Sequence, residues 1–125
     1  MNLNEISLPA RDVKASIAFY QRLRLTLIVE TGIYARFEFP DGDATMSLHK
    51  TDEASNGEGV HVYFECADLD ERVRALQAKG VVFENEPIDQ RWLWREAWLK
   101  DPAGNWLCLY LAGENRKDPP WRIKE

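Results

Sequence analysis

The sequence predicts an α+β fold assembled from two tandem βαβββ modules. Three observations carry this reading. One stretch of pattern recurs at a fixed offset, two amphipathic helices fall at matching places, and Pro/Gly turn signals precede the last strand of each half.

At an offset of 56 residues, Glu5-Ile6-Ser7-Leu8 lies over His61-Val62-Tyr63-Phe64, and Asp12-Val13 lies over Asp68-Leu69. Each half therefore starts with a short alternating strand followed by an Asp able to cap a helix. In the first predicted helix Val13, Ile17, Tyr20 and Leu23 recur every three to four positions, with Phe19 widening the stripe. In the second, Leu69, Val73 and Leu76 keep the same period. Asp68 with Glu71 three positions on forms a capping-box-like pair. Lys79-Gly80 closes the second helix, because glycine accepts the left-handed conformation that a helix C-terminus favours.

Strand-like runs follow each helix. The first half offers Leu25–Glu30, Tyr34–Phe39 and Ala44–His49; the second offers Val81–Glu84, Arg95–Lys100 and Trp106–Leu111. The last two of each set are separated by Phe39-Pro40-Asp41-Gly42 and by Asp101-Pro102-Ala103-Gly104-Asn105, where proline presets one turn dihedral and glycine supplies the positive one. Gly42 lies over Gly104 at an offset of 62, and one extra residue after the first turn lowers the offset to 61 in the last strand. Ser47 then corresponds to Cys108 and His49 to Tyr110. Two four-stranded sheets, each too small to stand alone, can bury their faces by pairing. The expected organisation is one domain over residues 1–111, with modules at about 3–55 and 58–111, and an extended tail over 112–125 anchored by Trp121.

A chain of 125 residues is long enough for one real core and short for two independent ones. Its 45% hydrophobic and 30% charged residues are ordinary for a soluble globular protein. A net charge of −5 argues against a nucleic-acid or anionic-membrane partner, each of which favours basic patches. No apolar run approaches the roughly 20 residues that span a bilayer, and Met1-Asn2-Leu3-Asn4-Glu5 lacks the basic-then-apolar pattern of a secretory signal. Cys66 and Cys108 show neither metal-type spacing nor a disulfide framework, so two reduced thiols in a cytoplasmic protein are expected.

Ile6-Ser7-Leu8-Pro9-Ala10-Arg11-Asp12, Ser16-Ile17-Ala18-Phe19-Tyr20 and Asp101-Pro102-Ala103-Gly104-Asn105, in this order and spacing, resemble the vicinal oxygen chelate superfamily. That group includes glyoxalase I, extradiol dioxygenases, and the fosfomycin and bleomycin resistance proteins. The resemblance spans about residues 3 to 111. It implies a cupped half-barrel (glyoxalase-like fold), a homodimer, and a divalent metal in the cup chelating two adjacent oxygens of a substrate. The ligands would come from the start of the first strand and from the last strand of each module, and the ion would act as a Lewis acid.

Carried onto this chain, the two first-strand positions are Glu5 and His61, both competent metal ligands. The two last-strand positions are Ser47, a poor ligand, and Cys108, which suits zinc better than magnesium, manganese or iron. His49 faces the same way as Ser47, displaced by roughly 7 Å along the strand. Glu5, His61 and His49 together have the two-imidazole, one-carboxylate composition of non-haem iron sites. The expected cofactor is one divalent ion (Mn, Fe, Ni or Zn), or none.

Each candidate also has a plainer reading. His61 is either a ligand or a satisfied interior histidine, Glu5 either a ligand or an edge charge, and His49 either a ligand or an exposed strand-end residue. Glu96 shares a face with Trp92 and Trp94 if that stretch is extended, as a catalytic acid or base would need; otherwise it pairs with Arg95 or Arg91. Glu65 shares a face with His61 and Tyr63. Cys108 is a nucleophile or a small core thiol. Five tryptophans are many for this length, and Trp92-Leu93-Trp94 follows a polar loop. Aromatic walls with few polar groups describe a small-molecule pocket or an interface. The expected pocket residues are Ser47, Tyr63, Trp92, Trp94, Cys108, Tyr110 and Arg36, the arginine either neutralising an acidic ligand group or balancing Glu38. Two functions follow: a metal-dependent lyase, isomerase or dioxygenase of glyoxalase type, or a metal-free protein that sequesters a drug or metabolite. A partner-binding module that has lost the site is a third.

Overall fold

A computed structural model describes residues 1–53 and 58–123. The chain divides into two compact units, Met1–Val60 with Lys100–Asn105, and His61–Leu99 with the chain from Trp106 onward. The first unit runs β1 (Glu5–Ala10), α1 (Val13–Arg22), β2 (Thr26–Glu30), β3 (Tyr34–Glu38), β4 (Thr45–Lys50), and its four strands lie in the order β1-β4-β3-β2. The second runs β5 (His61–Glu65), α2 (Leu69–Ala78), β6 (Ile88–Asp89), β7 (Arg95–Lys100), β8 (Trp106–Leu111), ordered β5-β8-β7-β6. In each sheet the first strand is parallel to the last, and the second and third strands pair antiparallel. These are the two βαβββ modules that the repeat predicts.

The registers bear out the offset shift. Glu5 sits opposite Thr45 and Ser7 opposite Ser47; His61 sits opposite Trp106 and Tyr63 opposite Cys108. Ser47 and Cys108 are therefore equivalent positions in their sheets.

Both helices stop in the same way. At the end of α1, Leu25 N–H bonds Tyr20 C=O at 3.1 Å and Arg24 N–H bonds Gln21 C=O at 3.0 Å; at the end of α2, Val81 N–H bonds Leu76 C=O and Gly80 N–H bonds Gln77 C=O, each at 3.0 Å. These are matched Schellman closures whose left-handed residue is Arg24 (φ 72°) in one and Gly80 (φ 90°) in the other. The helix starts differ. Asp12 Oδ1 accepts the N–H of Ala15 at 3.0 Å, whereas Asp68 makes no capping bond. The capping box expected at Asp68 does not form, because its carboxylate turns to Arg72 one turn on, at 3.6 Å.

One expected strand is absent. Val81–Glu84 is not a strand, and the edge of the second sheet is the two-residue β6 instead. Glu84 N–H reaches Trp98 C=O at 2.7 Å, and then the side chain of Asn85 takes over. Its Oδ1 accepts Trp98 N–H at 3.0 Å and its Nδ2 donates to Glu96 C=O at 3.1 Å. A side-chain amide thus satisfies two β7 backbone groups that a longer neighbouring strand would have taken.

The first unit's core is Phe37, Met46 and Leu48 under Ile17, Phe19 and Tyr20 of α1. The Tyr20 ring lies 5.8 Å from that of Phe37. Fully burying side chains of this size contributes roughly 1.5–3 kcal/mol each. Tyr20 also has a polar end: its hydroxyl donates to Asp101 Oδ2 at 2.5 Å. Asp101 Oδ1 accepts the N–H groups of Ala103 and Asn105 at 3.0 and 2.9 Å, and Oδ2 also accepts Asn105 Nδ2 at 2.7 Å. Asn105 Nδ2 reaches on to Pro9 C=O at 2.9 Å. The turn between β7 and β8 is thereby held in the first unit.

In the second unit Val62, Ala97, Leu99, Leu107 and Leu109 form one buried sheet face, with Leu69, Val73 and Leu76 of α2 also buried. Arg95 on that face forks onto Asp70 of α2 at 2.9 Å through both Nε and Nη2. The residues after β8 are not simply extended. Gly113–Arg116 form a 3-10 turn, and Glu65 Oε2 accepts the N–H groups of Ala112 and Gly113 at 2.8 and 2.9 Å. Trp121, expected to anchor this segment, is 57% exposed; Trp94 does so instead, its Nε1 donating to Asn115 C=O at 3.3 Å. No helix among the described residues is long and apolar enough to cross a membrane.

Candidate functional site

Strand alternation gives each sheet one face toward its helix and one away from it. In the first unit the face away from α1 is polar. It carries Glu5 and Ser7 on β1, Thr45, Ser47 and His49 on β4, and Tyr34, Arg36 and Glu38 on β3. These side chains are partnered locally. Glu5 Oε1 accepts Thr45 Oγ1–H at 3.2 Å and its Oε2 accepts Ser47 Oγ–H at 3.4 Å. Ser7 Oγ lies 2.8 Å from His49 Nδ1. Arg36 Nε donates to Tyr34 Oη at 2.9 Å rather than pairing with Glu38.

In the second unit the same face is aromatic. It carries His61 and Tyr63 on β5, Cys108 and Tyr110 on β8, and Trp94, Glu96 and Trp98 on or beside β7. Trp94 stacks on Tyr110 at 4.7 Å. Tyr63 stands edge-on to Trp94, Trp98 and Tyr110 at 5.7, 5.4 and 5.5 Å. His61 packs edge-on to Trp98 at 5.3 Å. Offset and edge-to-face geometries place positive ring edges against negative ring faces, worth about 0.5–1.5 kcal/mol per pair beyond area burial.

Glu96 sits within this aromatic layer, 2% exposed. Its Oε2 accepts Trp92 Nε1–H at 2.8 Å and its Oε1 accepts Trp98 Nε1–H at 2.9 Å. The ion pair to Arg95 or Arg91 that the sequence allows is not formed, since Arg95 points to the opposite face and engages Asp70 and Asp89. Burial comes first, and the charge of Glu96 second, in raising the Cys108 thiol far above its ordinary range. Cys108 is a fully buried thiol kept protonated, unlike a nucleophile, which needs the thiolate. Burial, then the neighbouring Cys108, Glu96 and Tyr110, likewise raise the Tyr63 phenol.

The Glyoxalase/Bleomycin resistance protein/Dioxygenase superfamily pattern matches residues 2–109. The chain belongs to this superfamily. Among solved structures, this superfamily member is similar to a glyoxalase/bleomycin resistance protein/dioxygenase from Nocardioides, at 23% identity and TM-score 0.80, covering 99% of this chain and 90% of that one. It is similar to a lactoylglutathione lyase from Agrobacterium tumefaciens at 21% identity and TM-score 0.74, covering 98% and 97%. It is also similar to a bleomycin-binding protein complexed with bleomycin, at 22% identity and TM-score 0.72, covering 89% and 98%. At such identities the likeness establishes the fold. A comparison with curated proteins gave no match.

The metal that the superfamily implies can be tested against the donors this member carries. Among the described residues no group of three or more His, Cys, Asp or Glu side chains is placed to hold a metal ion. In the first sheet Glu5 lies opposite Thr45, and His49 lies four residues further along β4, roughly 13 Å away at 3.3 Å per residue. Each is also bonded to a neighbouring hydroxyl. Ser47, where the resemblance leads one to expect a ligand, spends its hydroxyl on Glu5, and Cys108, at the equivalent sheet position, is a protonated thiol. Among the described residues this donor set does not fit a resident ion.

Of the expected pocket residues, Tyr63, Trp92, Trp94, Cys108 and Tyr110 come together in the second unit, whereas Ser47 and Arg36 lie on the polar sheet of the first. Trp98 and Asn85 were not among the sequence candidates. Trp98 was detectable in principle, since it continues the two-residue alternation Trp94, Glu96, Trp98. Asn85 carried no local signal, because its role depends on β7 being beside it.

Proposed function

We propose that this protein binds a small planar organic molecule without covalent chemistry and without a metal, using the aromatic face of its second sheet. The observation that carries the reading is the partly exposed ring cluster of Tyr63, Trp94 and Trp98 around the Trp94–Tyr110 stack. Ring faces of this kind supply contact area at little conformational cost, and a few polar atoms then fix orientation. The bleomycin-binding relative, solved with bleomycin, supports sequestration as one use of the fold. Glu96 orients the indoles in this reading rather than moving protons. Assembly as a homodimer in the cytoplasm belongs to the same proposal.

Intrinsic tryptophan fluorescence and calorimetry against a panel of planar heterocycles test it, with and without EDTA. Binding should survive EDTA and fall at least tenfold, about 1.4 kcal/mol, in Trp94→Ala. The competing reading is a metal-dependent lyase or dioxygenase, favoured by Glu5 and His61 standing at equivalent strand starts. Stoichiometric Mn, Fe, Ni or Zn in untagged protein, lost in both Glu5→Ala and His61→Ala, would establish that reading and overturn ours.

A further inference from the structure

We infer that the aromatic face of the second sheet selects an organic cation, a quaternary or protonated nitrogen carried on a planar body, with Glu96 as its counter-charge. The inference deepens the binding reading above and rests on it.

The buried carboxylate of Glu96 leaves a charge unbalanced. Glu96 is almost wholly buried, and both its oxygens act as acceptors toward indole N–H groups, which can only donate. Among the described residues no Lys, Arg or His forms an ion pair with it; Arg95, next in the chain, is committed to Asp70 and Asp89. A buried carboxylate without a counter-ion is costly, and two neutral donors offset only part of that cost. A neutral ligand would leave the imbalance in place and an anion would worsen it, on a chain already at −5. A cation relieves it.

The rings between Glu96 and solvent are suited to the task. Trp92 and Trp98 direct their N–H edges at the anion, which enriches their π-faces, and Tyr63 stands edge-on to Trp98 at 5.4 Å. Faces of Trp and Tyr are the surfaces that attract ammonium groups. The turn that presents two of the tryptophans is strained. Leu93 adopts φ 70°, held by Gln90 N–H on Trp94 C=O at 2.7 Å and Leu93 N–H on Gln90 C=O at 3.0 Å. A non-glycine residue costs roughly 1–2 kcal/mol in that region, and such strain clusters at ligand sites.

Three soluble probes of one shape separate the possibilities at pH 8: 1-methylquinolinium (cation), quinoline (neutral) and quinoline-2-carboxylate (anion), each titrated by calorimetry. The cation should bind at least tenfold more tightly than quinoline, and the anion more weakly than either. In Glu96→Gln the ratio of cation to quinoline affinity should shrink to within about twofold, and a ratio still at or above tenfold would overturn the role of Glu96 as counter-charge. Because Gln would turn an N–H toward one indole and can weaken folding, the wild-type protein supplies a second readout: raising NaCl from 20 to 500 mM should weaken the cation and spare quinoline. Equal affinity for all three probes, lost in Trp94→Ala, would overturn cation selection and leave the binding reading standing. No binding of any probe would overturn both.

Discussion

Replacing Tyr20 with Phe removes one hydroxyl from the centre of the first unit, and its cost can be worked from the geometry. That hydroxyl donates at 2.5 Å to Asp101 Oδ2, deep in the core. A hydrogen bond to a charged acceptor contributes about 1.5–3 kcal/mol. Asp101 keeps three other donors, from Ala103 N, Asn105 N and Asn105 Nδ2, so its carboxylate is not orphaned and the loss falls in the lower half, about 2 kcal/mol. For a chain of this size that lowers Tm by roughly 6–8 °C. A second signature appears in alkali. Burial, then the Asp101 charge and the hydrogen bond to it, raise the folded phenol far above its ordinary 10.0. Above pH 10 the unfolded chain loses a proton that the folded chain keeps. Stability therefore falls as pH rises, by about 1.4 kcal/mol per unit for this one group. Tyr63 and Tyr110 are also raised by burial, but they are common to both proteins and cancel in the comparison. Urea unfolding followed by tryptophan fluorescence, from pH 7 to 11, reads both effects. A Tyr20→Phe stability within 0.5 kcal/mol of the parent at pH 7, or an undiminished alkaline slope, would refute the reasoning.

Other substitutions test other elements. Arg24→Gly should stabilise by about 1 kcal/mol in urea melts, because Arg24 holds φ 72° where the second module has Gly80. Ser16→Ala should stabilise by about 1 kcal/mol, since the buried Ser16 hydroxyl has no hydrogen-bond partner among the described residues and alanine favours the helix. Asn85→Ala should destabilise by about 2 kcal/mol by orphaning Trp98 N–H and Glu96 C=O. The hydrogen bonds of Arg95 lower the Asp70 carboxyl below its usual 3.8, so its contribution is present above that pH and lost as pH falls through the lower folded value. In Asp70→Asn that part of the acid-induced drop in the urea midpoint should vanish.

The elements that were legible share a physical basis in short-range pattern. Val13, Ile17 and Tyr20 on one helix, and Leu69, Val73 and Leu76 on the other, follow a period that any amphipathic helix imposes. The one-residue shift that equates Ser47 with Cys108 was readable because turn glycines at 42 and 104 mark where strands restart, and both have positive φ. The missing Val81–Glu84 strand was not legible, because its pattern is strand-like and only Asn85 meeting β7 removes the need for it. Nor was the absent cap at Asp68, where Arg72 competes for the same carboxylate.

The division is sharpest at the candidate site. The sequence by itself determined the two modules, the equivalent strand starts Glu5 and His61, and the richness in tryptophan. All of these are properties of residue type and spacing. Tertiary structure alone decided that Glu96 is held by Trp92 and Trp98 instead of an arginine, and that Glu5 and His49 spend their polar atoms on neighbouring hydroxyls. It also decided that Asp101 answers Tyr20 across 81 positions of chain. A side chain with several competent partners is assigned by which one lies within about 3 Å in the right direction. That distance exists only once strands from distant parts of the chain lie side by side.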